Sequence, residues 1–194
     1  MNLLRKNHID THKAGEYATS EDFCKLFRED MAGLYQLSFV LTANHEKAEQ
    51  CFVAGLTDCV NGKSVFRQWA RSWAKRTIVK NAVLVMVPRP NRAGETSAGL
   101  HPEADGKHQR AQDQHAAIAN VLALGVFDRF VFVMSVLERY TEKECSVLLA
   151  CSPQDVREAR MRASQQIVEY TKHDASDQED SIETSICAPE LLVH

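Results

Sequence analysis

The stretch Thr141-Glu142-Lys143-Glu144-Cys145-Ser146-Val147-Leu148-Leu149-Ala150-Cys151-Ser152-Pro153-Gln154-Asp155-Val156-Arg157-Glu158-Ala159-Arg160-Met161-Arg162-Ala163 decides the fold. Thr141 and Glu144 have capping-box spacing: the hydroxyl takes the amide three residues on, and the carboxylate reaches back. Val147, Leu148 and Leu149 fill the short helix that follows, and Ala150-Cys151 turns the chain. Ser152 then caps a second helix whose first position is Pro153, where a missing N–H costs nothing. Val156, Ala159, Ala163 and Ile167 give that helix a narrow inner face. Gln154, Arg157, Glu158, Met161, Arg162 and Gln165 lie on its outer side. A short helix, a tight turn and a longer helix with small buried residues form the helix-turn-helix pattern, whose second helix enters a DNA major groove. A plain helical hairpin has the same spacing. The charge of the second helix counts against DNA binding, since from Pro153 to Thr171 the three arginines Arg157, Arg160 and Arg162 are balanced by Asp155, Glu158 and Glu169, and a duplex-binding helix usually carries more positive charge.

Working outward, Phe127, Phe130, Val131, Met134 and Leu137 predict an amphipathic helix ending near Tyr140, and Ala116 to Leu124 another, stopped at Gly125. Residues 88–110 hold three Pro and three Gly and, apart from small Ala, one sizeable apolar side chain, Leu100. Such a segment cannot bury enough to offset its ordering entropy and reads as a flexible linker. Before it, Thr19 or Ser20 caps a helix carrying Phe23, Leu26, Phe27, Leu34, Leu37 and Leu41. Asn44 caps a second helix with Ala48, Cys51, Phe52, Leu56, Cys59 and Val60 on one side, ended by Asn61-Gly62. A third helix is predicted from Ser64 to Val87, where Pro88 and Pro90 forbid continuation. With no strand alternation anywhere, the expected fold is all-α. Its parts are a flexible N-terminus (1–19), a helical bundle (20–87), the linker (88–110), a helix-turn-helix domain (111–171) and an acidic flexible tail (172–194).

The third helix carries the one strong charge asymmetry. Between Cys59 and Gly94 stand eight Lys/Arg and no acid, although the whole chain of 194 residues has a net charge of −3. Arg67, Arg71 and Lys75 recur at four-residue spacing as a basic stripe, which reads as a phosphate-binding face in preference to plain solvation. Trp69 and Trp73 could add stacking surfaces for single-stranded DNA. Their periodicity with Phe66, Ala70, Thr77 and Leu84 places both in the core instead.

Composition excludes several classes. At 44% apolar and 25% charged the chain is globular, and no apolar run is long enough for a membrane span. The six cysteines form no CxxC pair and read as reduced, mostly buried thiols of a cytoplasmic protein. No phosphate loop or nucleophile–His arrangement is present, which argues against an enzyme and a bound cofactor. His101, His108 and His115, like His8 and His12, lack a spacing that fixes a metal geometry.

Residues Phe127 to Ala163 resemble region 4 of bacterial sigma factors, most nearly the two-domain extracytoplasmic-function group. Arg129, Val131, Phe132, Glu144, Leu148, Val156, Arg162 and Ala163 match that family's "R-x-V-F-x-L", "Y-[ST]-x-x-E-I-A-x-x-L-G" and recognition-helix patterns. Phe23 to Leu41, Asn44 to Glu49 and Phe66 to Trp69 are similar, more distantly, to region 2. The resemblance implies an RNA polymerase core as partner, engaged around Glu49, Gln50 and Val53, and admits an anti-sigma factor as a further one. It also implies promoter DNA read by Gln154, Arg157, Glu158 and Met161, with Ser152 and Gln165 beside them and Arg160 and Arg162 on phosphates. Gln50 and Val53 replace the Asp and Gln of the family's polymerase-binding element, and Ser146, Ala150 and Arg160 replace its small Ala, turn Gly and Leu. Those departures keep a second reading open: a diverged sigma-like protein without polymerase binding, acting as a stand-alone DNA-binding regulator or protein-interaction module.

Overall fold

The computed structural model describes residues 16–90 and 117–186, with side chains over 16–90 and 117–171, and the described chain is all-helical. Residues 1–15, most of the linker, all five histidines discussed above, Cys187 and the side chains of the tail acids lie outside the described residues. No helix among the described residues is long and apolar enough to cross a membrane.

Helix α1 (Ser20–Glu29) begins on a capping box in which the Thr19 hydroxyl accepts from the Asp22 amide and the Asp22 carboxylate accepts from the Thr19 amide. The single first helix expected from periodicity is two. Asp30 leaves helical geometry at φ −111°, ψ 28°, and α2 (Met31–Thr42) starts after it, so that Phe23 and Phe27 and then Leu34, Leu37 and Leu41 can all reach one core. Helix α3 (His45–Asn61) is capped as expected, Asn44 Oδ1 accepting from the Lys47 amide at 2.9 Å, and it ends at Gly62.

The expected third helix starts later. Ser64 to Phe66 are extended, and Phe66 bridges to Tyr17. A 3₁₀ turn (Arg67–Trp69) then leads into α4 (Ala70–Met86). That delayed start rotates the buried face onto Ala70, Ala74, Thr77, Ile78, Val79 and Ala82. Leu84 is exposed, Trp73 is half-buried against the core, and Trp69 is 55% exposed, so the periodicity reading of Trp69 as core is corrected. Helices α3 and α4 approach closely at Gly55, where a Cβ would stand 2.8 Å from Ile78 Cγ1.

A helix over 117–123 (α5) precedes α6 (Val126–Phe132), which runs without a break into a π-helical turn (Val133–Leu137). Phe127 through Met134 are buried continuously; Val136 and Leu137 are exposed. Helix α7 (Glu142–Leu149) and α8 (Pro153–Ile186) follow. The helix expected to end near Thr171 stays helical to Ile186, into the stretch read as tail.

The amino- and carboxy-terminal helices share a core rather than standing apart. Arg129 of α6, 4% exposed, donates Nε to the Leu41 carbonyl of α2 at 3.3 Å. Its Nη1 donates to the carbonyls of Leu122 (3.1 Å) and Leu124 (3.4 Å). Lys75 of α4 reaches both oxygens of Glu138 at 2.9 Å, and Arg76 reaches Glu144 at 3.4 Å.

The α7–α8 turn carries local strain. Ala150 sits at φ 51°, ψ 45°, and the Cys151 amide reaches back to the Ser146 carbonyl at 3.1 Å, a Schellman end in which glycine is preferred. Ala150→Gly should stabilise the protein by about 0.5–1 kcal/mol, because relief of the left-handed Cβ clash outweighs the extra freedom of unfolded glycine. A rise of a few degrees in thermal midpoint checks it.

Candidate nucleic-acid interface

Two caps fix where α7 and α8 begin. Glu144 closes the Thr141 capping box, and the Thr141 backbone amide, then its hydroxyl, hold the Glu144 carboxyl below its usual range. At the next helix Asp155 accepts from the Ser152 amide (2.9 Å) and hydroxyl (2.7 Å) and returns its own amide to that hydroxyl (3.1 Å). Ser152 is thereby the cap the spacing predicts.

The inner face of α8 is as narrow as the sequence implies. Val156, Ala159 and Ala163 are buried and Ile167 packs beside them. Facing them from α7 are Cys145 and Leu149, with Leu148 half-buried; Val147, expected inside, is exposed. Burial pushes the Cys145 thiol up to about 11, so it stays protonated and acts as a small apolar group. Cys51 and Cys59 are likewise buried, whereas Cys24 is exposed.

On the outer face, Gln154, Arg157, Glu158, Arg160, Met161 and Gln165 are all exposed, Met161 by 58%. Several are already ordered by one another. Arg157 donates to Glu142 of α7 at 2.6 Å and to Gln154 at 2.8 Å, and Gln154 donates to Glu158 at 2.7 Å. This chain across the helix-turn-helix fixes donor and acceptor positions before any partner arrives. Arg160 makes no ion pair among the described residues.

Arg162 is placed differently from its neighbours. Its Nε and Nη2 donate to the two oxygens of Asp128 at 3.1 and 2.7 Å, and Asp128 is 4% exposed. The hydrogen bonds it donates to Asp128 favour the charged guanidinium and push the Arg162 pKa further up. Sequence reading missed this role because Asp128 lies 34 residues away. The sign the sequence offered was the charged pair Asp128-Arg129 within an otherwise apolar run.

The basic stripe of α4 also meets carboxylates that local sequence does not show. Arg67 pairs with Asp22 and Arg71 with Asp30, both at 2.9 Å, and Lys75 with Glu138. The acid-free run from Cys59 to Gly94 is supplied with acids by α1, the α1–α2 junction and the segment before α7. Arg67 and Arg71 keep more than half of their side chains exposed. On α3, Glu49, Gln50 and Val53 are exposed neighbours along one outward side. No group of three or more His, Cys, Asp or Glu able to hold a metal occurs among the described residues. No family model matches the sequence, and no curated protein matches it either.

Proposed function

We propose that this is a sigma-factor-like DNA-binding protein that directs RNA polymerase to promoters in the cytoplasm, its α1–α4 half corresponding to region 2 and its α5–α8 half to region 4. The observation that carries the reading is the two-sidedness of α8: a thin inner face that permits close crossing of α7, and an uncovered polar outer face among the described residues. On this reading Gln154, Arg157, Glu158 and Met161 face base edges, and Arg160 a phosphate. Arg162 acts through Asp128 as a positioning residue. Glu49, Gln50 and Val53 form the polymerase-facing patch, and an anti-sigma factor is a further expected partner.

Promoter-library transcription with core polymerase, together with co-purification, tests the proposal. Arg160→Ala should weaken duplex binding about tenfold across all sequences and reduce the salt slope by about 1, whereas Arg157→Ala should relax preference at one base position. Polymerase capture with transcripts from selected promoters supports the reading; an unchanged affinity and slope for both variants would sink it. The replacement of the family's Asp and Gln by Gln50 and Val53 favours a second reading, a stand-alone DNA-binding regulator. DNA binding without polymerase capture selects it.

A further inference from the structure

A cleft of 670 Å³ lies where the 3₁₀ turn and α4 meet the segment from Glu138 to Glu144. Its size is that of a small-ligand site. Phe66, Trp69, Trp73 and Tyr140 supply aromatic walls, and Lys63, Arg71, Lys75, Arg76 and Arg139 bring five cations against two carboxylates, Glu138 and Glu144. The cleft is therefore cationic in a chain of net charge −3.

The aromatic wall is held in place. Trp69 stands edge-on to Phe66 (5.1 Å, 86°), and Phe66 stacks on Tyr17 (4.7 Å, 20°). Backbone bonds of 2.8 Å from Ala18 to the Val65 carbonyl and from Arg67 to the Glu16 carbonyl clamp the two strands of chain that carry this stack. An indole more than half exposed on so fixed a base is a stacking surface that costs little to order. The cations retain capacity. Arg71 engages Asp30 through Nη1 and Arg76 engages Glu144 through Nη1, and Arg76 also lies over the Tyr140 ring at 5.9 Å. Lys63 and Arg139 make no ion pair among the described residues. A flat π surface beside several guanidinium and ammonium donors suits a base joined to phosphates. Glu138 accepts from Lys75 at 2.9 Å and Glu144 from Arg76 at 3.4 Å, so the two carboxylates stand beside those cations, where their charge repels a continuing sugar–phosphate strand and a compact ligand fits better than a polymer.

We propose that this cleft binds a free nucleoside di- or triphosphate, its base against Trp69 and its phosphates on Arg71, Lys75 and Arg76. The site draws on both halves of the molecule and does not depend on the promoter reading above. Anisotropy titrations of the full chain with fluorescently labelled ATP and GTP test it, competed by unlabelled nucleotide, tripolyphosphate, adenosine and a 12-nucleotide single strand. At least one nucleotide should bind saturably, with tripolyphosphate and adenosine about tenfold weaker each. Trp69→Ala and Arg71→Ala should each weaken binding about tenfold, and Trp69→Phe should restore most of it, with unchanged helical circular dichroism in all three. Equal binding of tripolyphosphate, binding of the single strand without the nucleotides, or indifference to Trp69→Ala each overturns the proposal. Duplex promoter binding is a separate measurement, so loss of one result leaves the other standing.

Discussion

Arg162→Ala is expected to lower folding stability by about 3 kcal/mol, because it leaves the Asp128 carboxylate buried without its bidentate partner. The Arg162 side chain is 41% exposed, which places the cost at the low end for such pairs, but Asp128 is not solvated enough to recover alone. The pair ties the outer part of α8 to α6, so the loss also loosens the angle at which α8 is presented. Urea unfolding should show the midpoint fall, and adding Asp128→Asn should return more than half of the loss by removing the stranded charge. DNA titrations under conditions where the variant stays folded should keep the wild-type salt slope. A slope reduced by about 1 with stability intact would instead place Arg162 on a phosphate.

Arg129→Met is expected to cost a similar amount, about 3 kcal/mol, by a different route. Its guanidinium donates to carbonyls of Leu41, Leu122 and Leu124, and removing it strands acceptors on α2 and around α5 together. Burial already disfavours the charged form and holds this arginine's pKa below its usual value. The cation is therefore retained for its geometry: three carbonyls pointing inward need a planar fork of donors. Arg129→Lys should not rescue, since one ammonium cannot span acceptors on both sides. Denaturant unfolding of both variants is the measurement, and a loss below about 1 kcal/mol in either would refute the assigned role.

Where backbone chemistry is local, the sequence was readable. Thr141, Ser152 and Asn44 cap as their spacing requires, Gly62 ends α3, and Val156, Ala159 and Ala163 are the buried face of α8. What escaped depends on partners distant along the chain. Trp69 reads as core on a helix assumed to begin at Ser64, but pairing of Phe66 with Tyr17 delays that helix and turns the indole outward. The basic stripe looks unpartnered because its acids come from elsewhere in the fold. Arg162 reads as an outward cation until Asp128 is brought beneath it. In the candidate interface, the exposed set on α8 was legible, and the network that orders it was legible only between residues three or four apart, such as Gln154, Arg157 and Glu158.

The π turn at Val133–Leu137 closes with the Glu138 amide on the Val133 carbonyl, five residues back, at 2.9 Å. Such a turn is an ordinary helix holding one surplus residue. Excise that residue and everything after it swings by about 100°, bringing a neighbour round to the spot that Glu138 occupies. The grip of Lys75 on Glu138 is thus written in the helix's register as much as in the identity of the acid, and a single-codon deletion could undo it with every charged side chain left in place.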